Sequence, residues 1–186
     1  MGDGFEWRPL LVLVTGAPGS GKTTLARLLA AELRLPHLNR DEVFDGLRHS
    51  VARGAPAPVA QRGVPLWFST LEHLLAGGVS MVADGTMYRG EFEGDVRRLH
   101  HFAEVVNVHC RAADPTKRFR DRQLARGATA AELDAQLARV GNNLARAVDP
   151  LDPSNEVIEV ATDGTYEPSL ESLVTRLTAP ARRSRR

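Results

Sequence analysis

Residues Gly16-Ala17-Pro18-Gly19-Ser20-Gly21-Lys22-Thr23, followed by Thr24, fit the spacing G-x-x-x-x-G-K-[ST]. The chemistry that needs such a run is phosphate binding. Glycines let successive backbone N–H groups turn inward and form a nest for anionic oxygens. The amino end of a following helix adds partial positive charge. In that arrangement Lys22 reaches the β- and γ-phosphates of a nucleoside triphosphate, and the Thr23 hydroxyl binds Mg²⁺. Only two lysines occur in the chain, Lys22 and Lys117, so a lysine at the required position is a selective match. Other reactive residue types read more simply. The six histidines assemble no metal site: His37 and His109 flank strands, and His100-His101 ends a helix at the surface. Cys110, the single cysteine, follows an apolar run and reads as a small buried hydrophobe. One cysteine also excludes an internal disulfide and a cysteine-rich zinc site.

The elements around the phosphate motif have the right order. Leu10–Val14 is a continuous apolar run, as expected of a central strand covered on both faces. A helix follows over about 22–33, with Leu25, Leu28, Leu29 and Leu33 on one stripe. Pro36–Asn39 is a short second strand, and a helix begins near Asp41. An irregular Gly/Pro/Ala stretch covers about 53–63, and its small apolar residues suit the wall of a pocket for a modest organic acceptor. Val64, Trp67, Phe68, Leu71, Leu74 and Leu75 recur at helical spacing up to the stop at Gly77-Gly78, which marks Trp67 and Phe68 as core. Further strands are expected at 79–83, 105–110 and 156–161. Asp114-Pro115 starts a helix, 129–147 reads as another, and Leu170, Leu173, Val174 and Leu177 mark a closing helix. Alternating strands and helices predict an α/β protein with a five-stranded, mostly parallel sheet in a three-layer α/β/α sandwich.

Two classes of phosphate-loop protein lack their second signature here. A guanine box of the form Asn/Thr-Lys-x-Asp is absent, because Phe119 stands where Lys117 would require an aspartate. Leu75-Ala-Gly-Gly78 echoes a transporter signature but precedes the third strand instead of following a long helical insertion. A compact kinase remains.

At this point the chain resembles the small P-loop kinases of the AAA_33 and zeta-toxin-like group, which is similar to polynucleotide kinase and chloramphenicol phosphotransferase. The resemblance spans about Leu10 to Leu177. Its carriers are the phosphate loop, Leu38-Asn-Arg-Asp-Glu42, Val82-Ala-Asp-Gly-Thr86, the arginine-rich helix after Cys110 and Val160-Ala-Thr-Asp-Gly164. It implies a strand order 2-3-1-4-5 and a helical lid over about 114–147. It implies that Asp41 accepts the proton of an acceptor hydroxyl, although an aspartate there can also cap the helix. Asp84 would stand near Mg²⁺, holding a metal-bound water or orienting Thr23 or substrate; as an Asp-Gly pair it can equally end a turn. Thr86 would hydrogen-bond the acceptor. Arg118, Arg122 and Arg126 are four residues apart on one helical face. The resemblance gives Arg122, then Arg118, the task of neutralising charge on the transferred phosphoryl group. Arg120 points elsewhere, and Arg126-Gly127 marks a hinge. Asp163 and Gly164 would touch adenine or form a plain turn. The sequence departs from polynucleotide kinases at one place: an arginine expected three residues after the acid is Phe44, with Arg40 and Arg48 nearby as replacements. That change weakens a polynucleotide acceptor and leaves transfer to a hydroxyl intact.

Composition fits this reading. Hydrophobic residues make up 42% and charged residues 25%, ordinary values for a soluble globular protein. The net charge is +1, yet Arg182, Arg183, Arg185 and Arg186 supply four of the basic residues, so the body is slightly acidic and no general nucleic-acid binder. The expectation is one kinase domain over 1–179 with a disordered basic tail at 180–186. Its place would be the cytoplasm, since no apolar run reaches membrane-spanning length and no secretory leader is evident. The cofactors would be ATP and Mg²⁺, and the partner a small hydroxylated molecule rather than nucleic acid or membrane. Phosphorylation of a polynucleotide 5′-hydroxyl, a nucleotide or a nucleotide sugar is the alternative enzymatic reading. A regulatory ATP-binding module without transfer is the alternative of another class.

Overall fold

The computed structural model describes residues 7–151 and 156–179, so the basic tail lies outside the described residues. Among these, five strands form one sheet in the order β2-β3-β1-β4-β5: β1 is Leu10–Gly16, β2 His37–Asn39, β3 Met81–Asp84, β4 Glu104–Arg111 and β5 Glu156–Ala161. Every neighbouring pair is parallel, including Leu13 beside Ala83 and Val14 beside Val108. The expected order holds, and the sheet is wholly rather than mostly parallel.

The continuous apolar run of β1 explains the layers. Successive side chains on a strand point to opposite faces. Leu11 and Leu13, with Met81, Ala83 and Val105, face one core that α3 (Gly63–Ala76) closes with Trp67, Phe68, Leu71 and Leu75. Val12 and Val14, with Val82, Val106, Val108, Ile158 and Val160, face the other. There α1 (Lys22–Leu33) brings Leu25 and Leu29, and α7 (Leu170–Thr178) brings Leu173 and Leu177. Each such buried side chain contributes roughly 1.5–3 kcal/mol relative to an exposed one. Trp67 meets Phe68 edge-on at 5.0 Å, so both belong to the core as their spacing predicts.

Three expectations need correction. Leu28 is exposed; Ala26 and Ala30 complete the buried stripe of α1 instead, because the helix lies close to the sheet along its small residues. The third strand starts at Met81, leaving Val79 exposed. The stretch 53–63 is not wholly irregular, since a 3₁₀ helix covers Ala57–Arg62. The remaining helices are α2 (Arg40–Ala52), α4 (Glu93–Leu99), α5 (Pro115–Ala125) and α6 (Ala130–Arg146). On the stripe expected for α6, Leu133 is buried, whereas the side chains of Val140 and Leu144 lie outside the described residues.

A parallel sheet sends every strand's carboxyl end to one edge, and in open α/β sheets that edge is where ligands bind. Here the edge collects Gly16–Thr24 after β1, Arg40 and Asp41 after β2, Gly85–Thr86 after β3, the start of α5 after β4, and Thr162–Gly164 after β5. A concavity lined by Trp7, Pro9, Leu75, Gly78, His101 and Phe102 contains none of these residues and sits by the start of β1.

Candidate functional site

The glycine loop turns between β1 and α1, and Gly21 caps the helix in a left-handed conformation, φ 84°. Gly19 is the tightest point. Its φ is 88°, and a β-carbon there would run into the carbonyl of Pro115 and come within 2.9 Å of the Phe119 amide. The first turn of α5 therefore lies directly on the loop. Ser20 Oγ is buried and without a hydrogen-bond partner, so the loop keeps a spare polar atom beside Gly16.

Lys22, first residue of α1, is buried. Burial pushes its ammonium pKa down, and the carboxylates of Asp41 and Asp84 partly offset this. Among the described residues this ammonium has no contact ion pair, and a buried ammonium so placed favours an anionic ligand. Next to it, Thr23 Oγ1 donates to Asp84 Oδ2 at 2.6 Å. Asp84 has no solvent exposure and also accepts from His37 Nε2 at 2.7 Å and Asn39 Nδ2 at 2.8 Å, both at Oδ1. Burial pushes this carboxyl up, yet the hydrogen bonds from His37, Thr23 and Asn39 outweigh it and hold the group below its ordinary value. Asp84 therefore stays ionised. A hydroxyl and an ionised carboxylate beside a phosphate nest are the hard oxygen donors that Mg²⁺ takes when phosphates and water complete its shell. Thr23 and Asp84 are therefore residues whose chemistry fits this cation.

The cap of α2 settles the alternative for Asp41. Asn39 Oδ1 accepts from the Glu42 amide at 2.8 Å, so Asn39 caps the helix and Asp41 is not the cap. The reason is geometric: the helix starts one residue earlier, at Arg40, and the capping position needs the extended backbone that Asn39 has. Asp41 is exposed in the first turn, and its charge acts on Lys22, Arg40 and Arg122 alike.

The three spaced arginines divide. Arg118 Nη1 donates to Thr162 O at 3.2 Å and Thr162 Oγ1 at 3.1 Å, and reaches Asp163 Oδ1 at 3.5 Å. Its guanidinium lies over Gly21. Arg122 stacks over Phe119 at 5.6 Å; burial, then the charge of Arg126, lowers its pKa against the pull of Asp41. Arg122 is therefore the arginine whose charge and that of Asp41 both act on Lys22, while Arg118 bonds to the β5 side. Arg120 pairs with Asp134 at 3.2 Å, away from this face as expected. Asp163 also accepts from the Ala113 amide at 2.7 Å, which commits its carboxylate to backbone and Arg118; Gly164 stands open beside it, φ 89°.

The Arg40 guanidinium lies over the rings of Phe44, at 5.7 Å, and Phe92, at 5.8 Å. Arg48 is not brought to this cluster; it pairs with Asp45 on the exposed side of α2. Thr86 is buried in the loop leaving β3. Sequence reasoning missed three supporting residues: His37 and Asn39, which fix Asp84, and Thr162, whose hydroxyl donates to Ser20 O at 2.7 Å and ties β5 to the phosphate loop. Asn39 and Thr162 stand inside motifs already singled out, one residue before Arg40-Asp41 and one before Asp163-Gly164.

Known proteins share this fold. The model of the AAA_33 family, described as an AAA domain, matches residues 11–142. A protein from Chloroflexus aurantiacus provisionally assigned as a kinase superposes with TM-score 0.71 at 22% identity, over 92% of this chain and 95% of that one. The APS kinase of Mycobacterium tuberculosis in complex with AMPPNP and APS gives 0.57 at 19%, over 91% and 95%. A gluconokinase of Sinorhizobium meliloti gives 0.56 at 18%, over 92% and 90%. At these identities the likeness is one of fold, and the fold is that of P-loop kinases. In sequence, 48 residues are 42% identical to an adenylate kinase of Chlamydia muridarum, 26% of this chain and 18% of that protein.

Proposed function

The chain belongs to the AAA_33 family, and on that premise we propose that it is an ATP-dependent phosphotransferase that moves the γ-phosphoryl group to a hydroxyl of a small molecule. The observation that carries the proposal is the placement of Asp41, Lys22 and Arg122 on three separate elements at the edge that holds the glycine loop, near enough for the acid's charge to act on both cations. Phosphoryl transfer asks little covalent chemistry of a protein; it asks for positioning and charge stabilisation. Backbone amides of the loop and Lys22 hold the terminal phosphates. Arg122 meets the charge that grows on the transferred group. Asp41 orients the acceptor hydroxyl and takes its proton as the bond to phosphorus forms. Thr23 and Asp84 would hold Mg²⁺, which supplies neutralisation of the β- and γ-oxygens when bound. The reading draws support from the APS kinase fold relative, whose structure contains AMPPNP. The sugar and gluconate kinases among the fold relatives favour a small hydroxylated acceptor.

The test is ATP consumption over a panel of sugars, aminoglycosides, chloramphenicol, nucleosides and 5′-hydroxyl oligonucleotides, with the Asp41→Ala variant beside the wild type. The expected result is transfer to a small acceptor, lowered about 10²–10⁴-fold in the variant with nucleotide affinity retained. Transfer to oligonucleotides alone, or turnover indifferent to Asp41, contradicts the reading; the second outcome is what a regulatory ATP-binding module would give.

A further inference from the structure

Arg40 is the one residue of the acceptor side whose placement the phosphotransferase reading leaves unexplained. It is the first residue of α2, beside Asp41. The rings of Phe44 and Phe92 both lie against its guanidinium, centroids 5.7 and 5.8 Å from its central carbon. Phe44 is itself locked, because its ring fills the space a side chain on Gly63 would need, 2.5 Å from such a β-carbon. Phe92 stacks on Phe68 at 6.1 Å and tilts against Tyr88 at 5.8 Å. The sandwich is therefore tied to the core through Phe92.

What the sandwich lacks is an acid. Arg40 Nε is buried with no hydrogen-bond partner, and no ion pair of Arg40 forms among the described residues. Its acidic neighbours are committed elsewhere: Asp84 to Thr23, His37 and Asn39, and Glu91 to Arg146 at 3.4 Å. Asp41 acts on it through space, as it does on Lys22 and Arg122. A desolvated guanidinium without a contact acid is costly, and truncation or pairing changes that cost strongly. With two rings against the guanidinium and Nε buried, the Nη groups are the part left to a partner. They are the arms of a planar fork whose geometry matches carboxylate or phosphate oxygens.

Resting on the phosphotransferase reading, we propose that the acceptor is a hydroxylated anion whose carboxylate or phosphate group docks on the N–H edge of Arg40, next to the hydroxyl that Asp41 orients. Arg40 thereby sets the acceptor class, a task separate from phosphate recognition by Lys22. The apolar sandwich serves to hold the fork at one orientation, which an exposed, salt-bridged arginine could not do.

Calorimetric titration of the whole chain tests this with AMPPNP and Mg²⁺ present, so that the glycine loop is already filled. The probes are two matched pairs: gluconate against glucitol, and glycerol 3-phosphate against glycerol. At least one anion is expected to bind about tenfold or more tightly than its neutral partner, and the pair that discriminates tells carboxylate from phosphate. Arg40→Gln should bring that ratio to about one, and Arg40→Lys should restore only part of it. Equal binding within both pairs by the wild type overturns the inference, and this comparison needs no variant to fold. Retention of the ratio by a cooperatively melting Arg40→Gln protein overturns it too. Failure of AMPPNP itself to bind overturns the kinase reading, and with it the inference.

Discussion

Asp84 has no contact with solvent, and a carboxylate so placed must find donors or lose its charge. It finds three, from α1, β2 and the β2–α2 junction, and they keep it ionised where Mg²⁺ chemistry would need it. Removing one donor leaves a buried acceptor short, which costs about 1–3 kcal/mol. His37→Ala should therefore lower the urea midpoint although His37 touches no acceptor; an unchanged midpoint would show the bond to be idle. Asn39 carries two duties, cap and donor, and substitutions can separate them. Aspartate caps as well as asparagine, yet it cannot donate and would set a second carboxylate against Asp84. Asn39→Asp should thus be less stable than Asn39→Ser at neutral pH, and equal stability would contradict the shared role. The arginines separate in kinetics. Arg122→Ala should lower kcat on the order of 10³-fold. Arg118→Ala should chiefly raise the KM for nucleotide, because its hydrogen bonds go to Thr162 at the flank of the loop. The reverse pattern would exchange their roles.

At the scale of elements, the loop and α5 form one packed unit. Gly19 admits the carbonyl of Pro115 where any side chain would collide. Gly19→Ala must either move α5 or distort the loop, at a left-handed φ that costs an L-residue about 1–2 kcal/mol by itself. Nucleotide affinity measured by titration should fall by about tenfold or more, together with the melting temperature; a variant that binds and melts like the wild type would disprove the contact. Thr162 performs the matching task from the other side, joining β5 to Ser20. The legibility of elements followed from their patterns. Periodicity located α1, α3, α6 and α7, Asp114-Pro115 marked the start of α5, and α4, with only Val96 and Leu99 buried, was too short to show a stripe. The cap of α2 was missed because Asn39 and Asp41 are both good caps in sequence, and only the path of the backbone after β2 chooses between them.

At the scale of the whole molecule, acid should weaken the fold in two stages. His109 is buried in β4, with Nε2 donating to Val148 O at 2.8 Å and Nδ1 near Thr15 Oγ1 at 3.0 Å. Burial lowers its pKa from the ordinary 6.5. The unfolded chain then takes up a proton that the native state refuses, so stability is full above pH 6.5 and declines as pH falls below it. Asp84, also lowered, adds a second decline below its ordinary 3.8. Urea midpoints between pH 8 and pH 3 should show the first step in the wild type and lose it in His109→Gln. A midpoint flat through this range, or one rising with acid, would contradict the assignment.

Sequence by itself determined the phosphate loop, the two-faced sheet and the strand ends that carry Asp41 and Asp84, because these depend on local spacing: a nest needs glycines at fixed intervals, a covered strand needs an unbroken apolar run, and a helix needs its stripe. Tertiary structure decided which polar residues meet. His37 and Asp84, Arg118 and Thr162, and Arg40 with Phe92 stand 44 to 52 positions apart in the chain. Such pairs leave no periodic trace, since parallel strands set their register through crossovers whose length places no mark on either partner.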